Sequence, residues 1–67
     1  MPAIQSTMLA SADYDPTSQT LEVTFRSGET WTYSSVPESE YDGLMGAHSP
    51  GRYFLSNIRG VYSAKQA

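Results

Sequence analysis

The segment over residues 20–36 constrains the fold most strongly, because it predicts a β-hairpin. Apolar residues alternate with polar ones on both of its arms, which is the pattern of strands that each bury one face. They are Leu21, Val23 and Phe25 on the first arm and Trp31 and Tyr33 on the second. With a two-residue turn at Ser27-Gly28, Thr24 lies opposite Trp31. The two apolar sets then face opposite sides of the sheet.

Two interpretations of this hairpin remain open. If the sets face opposite sides, a helix, a partner chain or a ligand must cover the second apolar face. Trp31 and Tyr33 then form a platform on which bases can stack. If a three-residue loop over residues 27–29 replaces the turn, Phe25 pairs with Trp31 and both sets join one core.

The 67 residues of the chain predict one domain near the lower size limit for independent folding. There is no cysteine, so neither disulfides nor thiolate metal sites can strengthen a thin core. We therefore expect a homo-oligomer interface to supply part of the stability. No apolar run approaches membrane-spanning length, and the first residues lack the pattern of a signal peptide. We expect a cytoplasmic protein with no membrane partner.

The net charge of −3 is distributed unevenly along the chain. Residues 1–42 carry −6, whereas residues 43–67 carry +3 from Arg52, Arg59 and Lys65. Such an acidic chain is a poor general binder of nucleic acid polymers, because phosphate neutralisation supplies most of that affinity. A local basic surface can still hold one small anion.

The remaining pattern predicts an α+β fold, a three-stranded antiparallel β-meander followed by two α-helices (β-β-β-α-α). The strands are expected over residues 7–14, 19–26 and 30–36, after a flexible lead over residues 1–6. Pro37 opens the first helix, whose apolar positions extend to His48. Ser49 caps the second helix and Pro50 is its first residue. A polar tail follows Tyr62, and the whole chain forms one domain with an ordered core over about residues 6–62.

Catalysis is not expected, because the chain has one histidine and no cysteine. His48 lies on the apolar side of the first predicted helix, where a lone histidine is usually a half-buried structural residue. It forms no dyad with Ser49, since neighbouring helical side chains diverge. No spacing of ligands suggests a metal site. We therefore predict no catalytic residues, no metal and no cofactor.

A basic face is the second candidate for binding. If the second helix continues far enough, Arg52, Ser56 and Arg59 lie on one side of it at i, i+4 and i+7. Two guanidiniums grip phosphate or carboxylate through fork-shaped hydrogen bonds, and the N–H groups near Ser49 and Gly51 favour negative charge. The alternative is an ordinary solvated face, or arginines paired with acids elsewhere in the chain. The candidate acids are Glu22, Glu29 and Asp42.

An ordered set of short motifs resembles the KTSC domain, a family named for the C-terminal extension of some lysyl-tRNA synthetases and found in small bacterial and phage-type proteins. The resemblance covers residues 6–62. Its motifs are Tyr14-Asp15, Leu21-x-Val23-x-Phe25, Gly28, Trp31-x-Tyr33, Val36-Pro37, Ser49-x-Gly51-x-Tyr53-Phe54, Ile58-Arg59 and Tyr62. Trp31 departs from the family's Tyr-x-Tyr, and Leu55 stands where an Asn is common. The resemblance implies a compact α+β domain and RNA binding.

Together these features predict a non-enzymatic binding protein for a nucleotide-type ligand, held by aromatic stacking and arginine–phosphate contacts. A phage-type protein that sequesters a nucleotide immune signal is one such function. The alternatives are an RNA-binding accessory domain that takes short RNA and a homo-oligomeric protein–protein adaptor. The predicted ligand-binding residues are Trp31, Tyr33, Ser49, Gly51, Arg52, Asn57 and Arg59.

Overall fold

A computed structural model describes Ile4 and residues 6–67 of the chain. The elements follow in the order β1 (Leu9–Asp15), β2 (Thr20–Phe25), β3 (Thr30–Tyr33), α1 (Glu38–Gly46), α2 (Pro50–Asn57) and β4 (Ala64–Gln66). The four strands form one antiparallel sheet in sequence order. The predicted α+β class, a meander followed by two helices, is therefore confirmed.

The C-terminal strand β4 was not predicted. It pairs with β3, so that Lys65 lies opposite Thr32. Backbone hydrogen bonds extend this pairing beyond the strand at both ends, from Ser34 to the Ser63 carbonyl and from Ala67 to the Thr30 carbonyl, each 2.9 Å long. The predicted polar tail thus covers an edge that β3 would otherwise leave open.

The N-terminal lead differs from its prediction at Ile4. The side chain of Ile4 is buried in the core, and its backbone N–H donates to the Ala10 carbonyl at 2.9 Å. Residues 1–3 and 5 of the predicted flexible lead lie outside the described residues.

A three-residue loop over residues 26–28 sets the register of the β2–β3 hairpin. Gly28 has a φ of 102° and its N–H donates to the Phe25 carbonyl at 2.9 Å. A glycine in this backbone region at the third loop position is typical of a type I turn with a bulge. Val23 therefore lies opposite Trp31 and Leu21 opposite Tyr33. Both predicted registers, with Thr24 or Phe25 opposite Trp31, are wrong.

The consequence of this register is a sheet with one apolar face. Because directly opposed residues point to the same side, Trp31 and Tyr33 share the helix-facing side with Leu21 and Val23. The expectation that the aromatic pair points away from the aliphatic residues is wrong. The opposite side carries hydroxyl and charged residues, namely Ser11, Asp13, Asp15, Thr20, Glu22, Thr24, Thr30, Thr32 and Lys65.

The core lies between the apolar face and the two helices. Its members from α1, α2 and the turn after α2 are Leu44, Phe54 and Ile58, each at most 1% exposed. Leu9, Ala12, Leu21 and Val23 face them from the sheet with no exposed surface. Full burial of one such aliphatic side chain contributes about 1.5–3 kcal/mol. Among the described residues, no helix has the length and apolar content needed to cross a membrane.

Proline marks the start of both helices. Pro37 is the N-cap of α1, while Pro50 is the first residue of α2, where its missing N–H has no helical partner to lose. Ser49 occupies the N-cap of α2, but its hydroxyl makes no capping hydrogen bond. The helix α1 ends at Gly46, so His48 lies beyond the helix and is exposed. The prediction that His48 belongs to the apolar side of this helix is wrong.

The Glu40 carboxylate connects α1 with α2 and with the turn that follows it. Tyr53 donates its hydroxyl hydrogen to Oε1 at 2.6 Å, and Tyr62 donates to Oε2 at 3.0 Å. The ring of Tyr53 passes directly over Gly43, and a Cβ atom at Gly43 would overlap the phenol. A side chain at position 43 would therefore force the Tyr53 phenol to move from its place against α1.

We expect Gly43→Ala to destabilise the fold. The added methyl group displaces the Tyr53 phenol from Glu40, and such overpacking costs about 1–3 kcal/mol. Gly46→Ala is the matched control, since nothing lies within 4 Å of its Cβ position and alanine favours helix by up to about 1 kcal/mol. Urea unfolding followed by circular dichroism measures both changes. Equal effects of the two substitutions would contradict the packing of Tyr53 on Gly43.

We also expect stability to fall in alkaline solution. The hydrogen bond to Glu40 and burial raise the pKa of Tyr53 above 10.0, and burial and the same carboxylate raise the pKa of Tyr62. The folded state then holds these protons more tightly than the unfolded state. Their contribution is complete below pH 10.0 and is lost as pH rises through the folded-state values.

Urea midpoints measured from neutral pH to about pH 11 test this dependence. The double variant Tyr53→Phe, Tyr62→Phe should lose part of the alkaline decline. The remainder comes from Tyr14 and Tyr33, whose pKa values burial also raises. A decline of the same steepness in the double variant would contradict the role of Glu40.

Candidate functional site

A cavity of about 630 Å³ opens on the helix-facing side of the sheet, beside the β2–β3 loop. Its aromatic walls come from Phe25, Trp31, Tyr33 and Phe54. The helices are short, with nine residues in α1 and eight in α2, and they leave this end of the sheet uncovered. The cavity is therefore a gap in the helical layer above an aromatic part of the sheet.

The aromatic walls differ in their exposure. Phe54 meets Phe25 edge-on with ring centroids 5.4 Å apart, and it meets Tyr33 in the same way at 5.5 Å. Tyr33 is only 4% exposed, so it belongs to the core and forms the floor of the cavity. Trp31 is half-buried. Of the two predicted platform residues, Trp31 is the one whose ring a ligand can cover.

Two arginines line the same cavity, and they differ in what they already bind. Arg26 donates hydrogen bonds from its guanidinium to the backbone carbonyls of Ser6 and Ile4. The Arg26 side chain thereby anchors the backbone at Ile4 and Ser6. Arg59 follows α2, and its backbone N–H donates to the Phe54 carbonyl at 2.9 Å. This backbone bond fixes Arg59 at the rim of the aromatic cavity.

The charge of Arg59 acts on the floor of the cavity. Burial raises the pKa of Tyr33, and the positive charge of Arg59 opposes that rise. Gly60, which also lines the cavity, has a φ of 79° and turns the chain directly after Arg59. The turn after α2 therefore brings a guanidinium close to the aromatic floor.

The predicted basic face is divided between two places. The helix α2 ends at Asn57, so Arg59 does not continue its face, and the predicted grouping of Arg52 with Arg59 is wrong. Arg52 lines a smaller cavity of about 320 Å³ together with Ser49, Gly51 and His48. Trp31, Tyr33 and Arg59 are thus brought together, whereas Ser49, Gly51 and Arg52 form a separate group.

Asn57, which was predicted to bind the ligand, lines neither of these two cavities. Its side chain makes a hydrogen bond within α2 instead. Its Nδ2 donates to the Tyr53 carbonyl at 3.1 Å, near the end of α2. The side chain thereby folds back onto the last turn of α2.

Glu29 lines the aromatic cavity, although the sequence analysis considered it only as a partner for arginine. The signal that could have found it is the two-residue alternation of strands, because Glu29 precedes Trp31 by two positions. Within the part of the chain that the structure describes, no three His, Cys, Asp or Glu residues gather as a metal site.

Comparison with known proteins gives consistent matches to one family. The model of the KTSC domain matches residues 5–62. The crystal structure of a KTSC domain protein from Yersinia pestis superposes with a TM-score of 0.94 at 34% identity, covering 97% of this chain and 92% of that one.

Two sequence relatives extend the comparison. A protein of Stutzerimonas stutzeri is 46% identical over 52 residues, which are 78% of this chain and 73% of that protein. A lysine–tRNA ligase of a Nostoc species is 40% identical over 53 residues, which are 79% of this chain but only 9% of the ligase. The chain belongs to the KTSC domain family.

Proposed function

We propose that this chain is a non-catalytic binding protein for a small nucleotide-type ligand, which it takes up in the aromatic cavity. The proposal is supported by one observation: the same cavity of about 630 Å³ is lined by Trp31, Tyr33 and Arg59. Pockets for small molecules measure about 300–1,000 Å³ and combine apolar walls with a few polar groups.

Stacking on Trp31 supplies the first half of the recognition. The indole is half-buried and lines the cavity, so part of its surface is available to a ligand. A base stacked on an aromatic side chain gains about 1–3 kcal/mol. The buried Tyr33 and Phe54, which line the same cavity, pack edge-on with their ring centroids 5.5 Å apart and form a fixed aromatic surface beside Trp31.

A phosphate contact from Arg59 supplies the second half. A guanidinium binds phosphate through two parallel hydrogen bonds. Arg26 already donates to two backbone carbonyls, so Arg59 is the cavity arginine that can bind the anion. One such contact suits a ligand with few phosphates.

The net charge of −3 also favours a small ligand over a long polyanion. A domain of this size with such an aromatic cavity can act by sequestering a nucleotide signal, and a phage-type protein that blunts immune signalling is one setting for it. A cytoplasmic location is part of the proposal, and it is compatible with a chain that has no cysteine and hence no disulfide to form.

An RNA-binding accessory domain is the second candidate. It is favoured by the matching segment within the lysine–tRNA ligase of a Nostoc species. The same stacking residue would then receive a base of a single-stranded RNA. The two candidates differ in salt dependence, because polymer binding releases counterions and weakens steeply as salt rises.

Intrinsic fluorescence tests the proposal, because Trp31 is the single tryptophan of the chain. Nucleoside monophosphates and cyclic dinucleotides are titrated first, followed by the matching nucleosides and a short single-stranded RNA at two salt concentrations. We expect micromolar or tighter binding of a nucleotide, with a change in Trp31 emission. Binding confined to the RNA, with a steep loss at high salt, would favour the second candidate instead.

Arg59→Gln and Arg52→Gln form the matched pair of variants. A hydrogen bond to a charged group is worth about 1.5–3 kcal/mol, so Arg59→Gln should weaken nucleotide binding about tenfold or more. Nucleoside binding should be unchanged, since it involves no phosphate. Arg52→Gln should resemble the wild type, because Arg52 lines the smaller cavity. Unchanged emission with every nucleotide would refute the proposed function.

A further inference from the structure

Glu29 lies in the same row of side chains as Trp31 and Tyr33. The Phe25 backbone N–H donates to the Glu29 carbonyl at 2.8 Å, so the two residues are opposed across the hairpin. Opposed residues share a face, and the Phe25 ring packs edge-on against Phe54 of α2. The Glu29 side chain therefore projects on the helix-facing side, where the residue lines the cavity.

Glu29 and Arg59, the charged cavity residues without a described side-chain partner, lie toward opposite ends of this row. Glu29 and Tyr33 are four positions apart, or about 13 Å along an extended strand. Arg59 acts electrostatically on Tyr33, whereas Glu29 is beside the β2–β3 loop, with Trp31 between them. No described residue is hydrogen-bonded or ion-paired with the Glu29 carboxylate. The row has the length of a base with its sugar and one phosphate.

We propose, on the basis of the proposed function, that Glu29 makes the cavity selective for guanine. An ionised carboxylate is an acceptor with two oxygens and donates nothing. Guanine presents two adjacent donors, N1–H and the N2 amino group, to such a carboxylate. With the base on Trp31 and the phosphate at Arg59, this donor edge reaches Glu29.

The other bases do not match Glu29 in this way. Adenine, cytosine and uracil each place a lone-pair acceptor beside their donor on the pairing edge. That acceptor faces a carboxylate oxygen and repels it. Hypoxanthine keeps N1–H but lacks the N2 amino group, so it should bind with intermediate affinity.

The test compares GMP, IMP, AMP and CMP on the wild type by the emission of Trp31 and by calorimetry. A bidentate contact to one base discriminates against the wrong base by about tenfold or more. We expect GMP to bind at least tenfold more tightly than AMP or CMP, with IMP between them. Equal affinities of GMP and AMP would overturn the inference and leave the proposed function standing. Failure of all four to bind while a cyclic dinucleotide binds would also overturn the inference, whereas failure of every nucleotide tested would refute the proposed function itself.

Glu29→Gln identifies the residue responsible, and Glu22→Gln is the matched control on the opposite, polar face of the sheet. A glutamine amide offers guanine one acceptor and one mismatched donor. In Glu29→Gln the affinity for GMP should therefore fall about tenfold, while AMP, whose N1 acceptor then meets an amide donor instead of a carboxylate, should bind more tightly than it does to the wild type. Glu22→Gln should keep the wild-type preference. A guanine preference that survives in Glu29→Gln would overturn the assignment, and circular dichroism checks that both variants are folded.

Discussion

The pairing of Val23 with Trp31 determines which side of the sheet receives every side chain of β3. The pairing depends on the loop over residues 26–28, in which Gly28 adopts a φ of 102° that other residues rarely tolerate. A shift of one residue would move Trp31 and Tyr33 to the polar face, because strand side chains alternate. The core would then lose Tyr33, and the aromatic cavity would lose two of its walls. Stability and binding thus depend on the same backbone geometry.

A single apolar face suits a chain this small. Two short helices are enough to bury it, and the carboxylate of Glu40 joins them through Tyr53 and Tyr62. The opposite face carries threonines and charges, so it needs no cover. What the helices leave open is the end of the sheet beside the β2–β3 loop, where Arg59 and Glu29 stand at the rim of an aromatic cavity. The proposed ligand is a guanine nucleotide, because its phosphate suits Arg59 and the donor edge of its base suits Glu29.

Local signals in the sequence were enough to predict the order of the first five elements, β1 to α2. Proline at positions 37 and 50 and the two-residue alternation in the hairpin act over short distances. The register was predicted wrongly because Ser-Gly fits several loops, and the start of the loop at Arg26 has no local signal. The strand β4 has weak strand formers, and it exists because β3 offers a free edge. Trp31, Tyr33 and Arg59 were predicted as site residues, but Arg59 lies at the cavity because α2 ends at Asn57, and not on the continued helix that was predicted.

The hairpin register is the most direct test of this account. In an antiparallel pair, the residues that exchange no hydrogen bonds have Cα atoms about 4.5 Å apart, which gives strong nuclear Overhauser effects between their Hα protons. The account predicts such effects between Thr24 and Thr30 and between Glu22 and Thr32 in the labelled protein, together with contacts from the Trp31 indole to the Val23 methyl groups. Hα contacts from Thr24 to Trp31, with the indole remote from Val23, would contradict it.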